Sequence, residues 1–332
     1  MDYFMFKEGL KNVLPIKIGF KVESIKPYNK VMASTRLRCY DIINFLDKKL
    51  IIAGLYRSFK KYDLVIFQKD FSDDAIKLAN KLKSQGTKVI FDINVNYLEK
   101  KGEANSYIKQ QQTDNILRMI DLSDALIVSS NKLKEIFSKH HSEVVVIEEN
   151  ISDSFFRVAK NHKDIGTIYL TYCGYSIKAK ELLQISGVLK ELHKKYPIKL
   201  LFICEKDPQL NIMPYEYLRY NQKILPYQLV KGDIKVAPRD LSNSYNWGHS
   251  FTKVGYPMSV GLPAVASPIP SYMGRNVVIC YDDEAWYTEL IKLIESWQYR
   301  AELGLKSREF VKQNFSIDKI GTEYIRLFQK YI

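Results

Sequence analysis

The stretch Asn246–Pro268, NWGHSFTKVGYPMSVGLPAVASP, holds the densest set of residues able to do chemistry. Ser250 is a good N-cap for a helix from Ser250 to Val260, so the next backbone N–H groups point outward with the positive helix end behind them. Lys253 falls one turn in, and an ammonium beside a helix terminus suits a diphosphate. The pattern equally fits an ordinary capped core helix closed by Gly261, Leu262 and Pro263. His249, just before the cap, is either a hydrogen-bond donor to charge developing on a leaving phosphate or a polar loop residue.

Two further constellations stand in the first half. In MASTRLR (Met32–Arg38), Ser34 or Thr35 caps a helix whose first turn holds Arg36 and Arg38. Cations at that end oppose the helix dipole, so the pair points to a bound phosphate rather than to solubility alone. In FDINVNY (Phe91–Tyr97), Asp92, Asn94 and Asn96 follow a strand. Asp92 there positions or deprotonates a substrate hydroxyl, or the segment is simply an Asx turn. Gln68 and Lys69 end a comparable strand. Asp73-Asp74 and Asp282-Asp283 each precede a helix, where acidic residues complement the dipole, so neither reads as a metal site.

The elements that must position these residues alternate. In the first half, strands at Ile16–Lys21, Asp63–Gln68, Lys88–Ile93, Ala125–Ser129 and Glu143–Ile147 are separated by helices at Ser34–Lys49, Asp73–Ser84, Asn115–Leu122 and Lys132–Lys139. Gly86 stops the second of those helices. After a polar stretch, Glu148–Gly166, a second series begins. It has strands at Thr167–Tyr172, Lys199–Cys204, Asp233–Pro238, Pro263–Ser267 and Val277–Tyr281, with helices at Ala179–Tyr196, Ser250–Val260 and from Glu284 onward. Continuous β-branched runs between helices predict parallel sheets covered on both faces. The fold class is therefore α/β: two Rossmann-like, doubly wound domains facing a cleft, with ligands beyond the carboxyl ends of the strands. The expected boundaries are 1–155, 156–315, and a last helix at 316–332 packing back on the first domain. No GxGxxG follows either first strand, which argues against a dehydrogenase.

With 46% hydrophobic residues the chain of 332 has ordinary globular composition, and its apolar runs are far shorter than the ~20 residues of a membrane helix. Met1–Lys17 carries no secretory signal pattern, so a cytoplasmic location is expected. Four isolated cysteines and five histidines without ligand spacing argue against a structural metal or a disulfide framework. The net charge of +13 fits a solvated basic surface, an anionic membrane, or a phosphate-bearing substrate. Nucleic acid ranks last, for want of any recognition motif.

The order GD-IKVAPR, S-x-x-K, M-S-V-G-L-P-A-V-A-S resembles the donor domain of GT-B glycosyltransferases, especially the family 4-like group with K-x-x-E-x-M-A-x-G-x-P-V-V-A-S. TYCGYSIKAKELL looks like that family's strand–Gly–x4–Lys opening, and VVVIEENISDSFF like its interdomain bridge; the likeness runs over nearly the whole chain. The resemblance implies a nucleotide-sugar donor near Gly174, with Lys180, Ser250 and Lys253 on its diphosphate, and a glycan or lipid-linked acceptor. It also implies retaining hexosyl transfer without a metal or other cofactor, in surface polysaccharide synthesis. The basic surface fits a lipid-carried acceptor approached peripherally at the inner face of an anionic membrane, and no nucleic-acid partner is expected. The paired glutamates of the E-x7-E motif fall on Gly248 and Tyr256, so Tyr256 takes the donor's ribose position. An arginine expected near the glycine is Tyr175, and Arg239 is the candidate replacement. A GT-B-shaped epimerase or hydrolase, or a binding protein without activity, are the alternatives.

Overall fold

The computed structural model describes residues 16–47, 51–99, 110–164 and 166–331; the proposed absence of a leader, read from Met1–Lys17, falls almost wholly outside them. The first sheet contains β1 (Lys17–Val22), β2 (Ile52–Leu55), β3 (Leu64–Gln68), β4 (Lys88–Asp92), β5 (Ala125–Val128) and β6 (Val144–Val146), in the order β2-β1-β3-β4-β5-β6. The second contains β7 (Ile168–Cys173), β8 (Ile198–Cys204), β9 (Tyr215–Arg219), β10 (Ile234–Ala237), β11 (Ala264–Ala266) and β12 (Val278–Ile279), in the order β12-β11-β10-β7-β8-β9. Every pairing is parallel. The central strands are buried end to end, as in LVIFQ of β3, because helices cover both faces.

The doubly wound architecture agrees with the sequence pattern, except that the edge strands β2 and β9 are additional. Two helix openings also differ from expectation. The stretch at Ala33–Asp47 is not a capped helix: Met32 precedes it, no side chain caps it, and Arg36–Tyr40 forms a π-helical turn. The stretch after β7 begins as a 3₁₀ segment, Ser176–Ile185, before the α-helix Ser186–Lys195. A 3₁₀ turn has three residues, so Ser176, Ala179, Leu182 and Ile185 share the buried side.

Two crossings join the halves. Residues 147–158 lead from β6 toward the second sheet, and Ile151 bridges Ser316 just before the last helix, Ile317–Tyr331. That helix buries Ile320, Tyr324, Leu327 and Phe328 in the core of the first sheet. Its Gly321 lies so close to the Phe45 ring that an added Cβ would sit 2.3 Å from it, so only glycine lets the helix dock. No helix among the described residues is long and apolar enough to cross a membrane.

Candidate active site

The carboxyl ends of β7 and β10 bring a set of cations together. Arg239 follows β10, its backbone N–H held by Ser267 Oγ at 2.9 Å and its guanidinium paired with Glu181. Lys178 comes from the 3₁₀ segment and lies over the Tyr245 ring, 5.0 Å from its centroid. Lys253 sits at the start of the helix Thr252–Ser259. Lys235, inside β10, is buried against the face of Tyr172 at 5.0 Å. Among the described residues, Lys178, Lys235 and Lys253 form no ion pair. Burial, with repulsion from neighbouring cations added to it, lowers the proton affinity of the three lysines. The Lys253 and Lys178 ammoniums fall below the usual lysine range through burial and Arg239. Lys235 drops to about 8, chiefly through burial. Desolvated cations facing one another are each disfavoured until an anion joins them.

Of this group Lys253 lines a cleft cavity of about 190 Å³ between the domains, and the other cations stand behind it. Val31, Ala33, Arg36 and Leu37 line it from the first domain, and Gly174, Tyr220, Gln222 and Tyr256 from the second. Arg36 crosses it, donating to Gln222 Oε1 at 2.8 Å. Tyr256 stacks on Phe155 with centroids 4.5 Å apart. A Cβ on Gly174 would stand 3.0 Å from the Tyr172 hydroxyl, which itself donates to Tyr175 O, so glycine lets the chain turn tightly there. A second cavity, about 410 Å³, opens at the carboxyl ends of β1 and β3 beside Gln68, Lys69 and Tyr97.

Gly174, Arg36, Lys253 and Tyr256 thus meet at one cavity, and Arg239 lies buried off its wall, near enough to Lys253 to repel its charge. The other sequence candidates lie elsewhere. Ser250 does not cap the helix: Phe251 precedes Thr252, and Ser250 Oγ donates instead to Glu149 Oε2 at 2.6 Å. Lys180 is exposed, and Lys178 takes the inward place, because the 3₁₀ winding turns a different lysine to the cleft than α-helical spacing would. Ser34 caps nothing, and its hydroxyl is 3.5 Å from Lys69 Nζ. Arg38 lines neither cavity. It is 1% exposed, its Nε donates to both Asp92 oxygens at 2.8 and 2.9 Å, and its Nη1 donates to Ile147 O at 2.8 Å.

Asp92, 0% exposed, is correspondingly withdrawn from the cleft. Burial pushes its carboxyl up and Arg38 opposes that, and the two-oxygen contact keeps the pair ionised. It is a structural ion pair and not a free base. Asn94 also serves the scaffold, donating to Glu149 Oε1 at 2.6 Å.

His249 is buried and its pKa lies well below the ordinary imidazole value, from burial and then the charges of Arg239, Lys253 and Lys178. Asn246 donates from Nδ2 to Asp240 O at 2.7 Å, so its Oδ1 is the acceptor facing His249 Nε2 at 3.0 Å. The neutral ring therefore carries its proton on Nε2, already engaged, and offers a bare Nδ1. In this form it cannot donate to a leaving phosphate.

Glu149 is the residue that sequence reading missed. From the interdomain crossing it accepts from Asn94 of the first domain and from Ser250 and Thr252 (3.0 Å) of the second. It ties the helix carrying Lys253 to the end of β4. Its only sequence signal is a second consecutive acid in a segment that otherwise reads as linker.

No family model matches the sequence, and no curated protein does. Solved structures match in shape over nearly the full length. HepE from Anabaena in complex with UDP superposes with a TM-score of 0.69 at 13% identity, over 95% of this chain and 100% of that one. A glycosyltransferase from Rickettsia africae ESF-5 gives 0.66 at 12% identity, over 95% and 98%. The chain has the GT-B fold. An α,α-trehalose-phosphate synthase (UDP-forming) from Burkholderia vietnamiensis shares it with a TM-score of 0.65 at 9% identity, over 96% and 98%. At such identities the likeness extends to the GT-B frame, two parallel sheets across a cleft, and side-chain chemistry must be argued from this chain's own cleft.

Proposed function

We propose that this GT-B protein transfers a sugar from a nucleoside-diphosphate donor to an acceptor hydroxyl. The carrying observation is the cluster of Lys178, Lys235, Arg239 and Lys253 at the carboxyl edge of the second sheet, three of them without an ion pair among the described residues. A diphosphate supplies the missing negative charge, and the cations stabilise it as it leaves. That arrangement does the work a divalent ion would otherwise do, so the reaction is metal-independent. The nucleoside lies in the cleft cavity between Arg36, Tyr220, Gln222 and Tyr256, and HepE, which shares the fold, was solved with UDP.

The acceptor enters the larger cavity beside Gln68 and Lys69. With Asp92 locked to Arg38, the departing phosphate is the base at hand, and it takes the acceptor's proton on the face it leaves. That geometry favours retention of the anomeric configuration. The acceptor is a glycan or lipid-linked saccharide of surface polysaccharide synthesis, reached at the inner face of an anionic membrane. Thermal unfolding against a panel of nucleoside diphosphates and their sugars tests the reading, since a ligand present at 100 times its Kd adds about 2.7 kcal/mol. A panel without a single shift removes it. Sugar released equally well without acceptor supports a hydrolase, and transfer abolished by chelator removes metal independence.

A further inference from the structure

β1 and β2 are parallel neighbours, so the loops that follow them, 23–32 and 56–61, leave the first sheet at the same carboxyl edge. Tyr56 N donates to Phe20 O at 2.9 Å and holds the second loop beside the first strand. Loop 56–61 reads YRSFKK. Phe59 stands at its turn, 82% exposed, with Arg57, Lys60 and Lys61 exposed around it. Loop 23–32 adds Ile25 and Met32, 50% and 57% exposed, with exposed Lys26 and Lys30. Glu23 is the only acid in either loop.

A single exposed apolar residue needs no explanation. Four large ones in adjacent loops, Ile25, Tyr28, Met32 and Phe59, interleaved with cations, form a surface that places shallow apolar side chains among lipid headgroups and lysines against anionic lipid. Single-stranded nucleic acid is bound through stacked aromatics in a groove; here the Tyr28 ring is already held against Tyr40 and Arg36 with its hydroxyl on Asp41, which leaves Phe59 as the one free ring among these side chains. Ile25, Tyr28 and Phe59 line neither cavity described above, so these side chains form no shared apolar groove there of the kind a partner helix fills. We propose that loops 23–32 and 56–61 dock the protein on an anionic bilayer.

The rim adjoins the larger cavity, whose lining includes Lys26 and Met32. A saccharide carried on a membrane lipid thus meets that cavity from the bilayer side. This last step rests on the glycosyltransferase reading; the docking itself does not.

The test is flotation of the full chain with phosphatidylcholine vesicles, with and without phosphatidylglycerol. The protein is expected to bind only the anionic vesicles, and less as salt rises. The double variant K60A/K61A is expected to bind about 30-fold more weakly, at about fivefold per lysine. F59S is expected to lose roughly tenfold. Both variants keep the wild-type melting temperature and its shift with UDP. No binding to anionic vesicles, equal binding to both kinds, unchanged binding by both variants, or retention on RNA without vesicle binding overturns the proposal. Vesicle binding without any nucleotide shift keeps the rim and removes the transferase reading; the reverse outcome removes the rim alone.

Discussion

Replacing Lys235 with Met tests whether the donor site is held in an electrostatically unfavourable state until its ligand arrives. The side chain is 2% exposed and lies against Tyr172, Cys173 and the neighbouring Lys253. Its pKa falls from 10.5 to about 8. At about 1.4 kcal/mol per pH unit, burying the charged form costs roughly 3 kcal/mol. A lowered folded-state value means that the unfolded chain binds more protons between about 8 and 10.5, so wild-type stability rises with pH in that window. Below it the full cost is present; above it none remains.

Lys235→Met fills similar volume without charge. Urea denaturation should find it more stable than wild type by roughly 3 kcal/mol at neutral pH, with the difference vanishing above pH ~10.5. Taking the difference between the two proteins cancels every other titrating group. The same logic ties the lysine to function: a diphosphate restores the ammonium, so UDP binding near pH 8 should take up a fraction of a proton. Titration calorimetry in two buffers of different ionisation enthalpy measures that uptake, and Lys235→Met should abolish it. A variant that is less stable at neutral pH, or a difference that does not vary with pH, refutes the reasoning.

Lys178→Ala should weaken UDP binding about ten- to hundredfold, the value of a charge-assisted hydrogen bond, while Lys180→Ala stays within about twofold by calorimetry. Asp92→Asn should cost about 3–5 kcal/mol in urea denaturation by leaving Arg38 buried without its partner; a variant of wild-type stability with no activity would instead restore Asp92 as a base. Gly248→Ala places a Cβ 2.7 Å from Leu133 Cδ2 across the domain interface. It should cost about 1–3 kcal/mol, and a double variant with Leu133→Ala should show a compensating coupling.

Strands with continuous apolar runs, such as LVIF of β3 and LLFIC of β8, were legible because burial on both faces favours apolar side chains at successive positions. β2 and β9 were not: IAGL is short and carries a glycine, YEYLR alternates, and both lie at sheet edges where one side is open. Lys253 and Gly174 were legible as neighbours across the cleft because each follows directly from a strand end or helix start. Lys178 was hidden by a helix type that spacing does not announce. Glu149 and the Arg38–Asp92 pair were hidden because their partners lie 101 and 54 residues away. A short-range rule for helix openings misread Ser250, Ser34 and Arg38 because long-range partners claimed those side chains.

The last helix, seated against β-sheet one through Gly321 and Phe45, also sets an order of events during synthesis. Ile320, Tyr324, Leu327 and Phe328 belong to a core whose other members, from Ile18 to Ile147, leave the ribosome first. The first half of the chain must wait, with one apolar face uncovered, while the whole second sheet is translated. Such high sequence separation slows folding and prolongs exposure to aggregation. Expressed alone, the first half should be the insoluble part, and supplying the last helix in trans should rescue it.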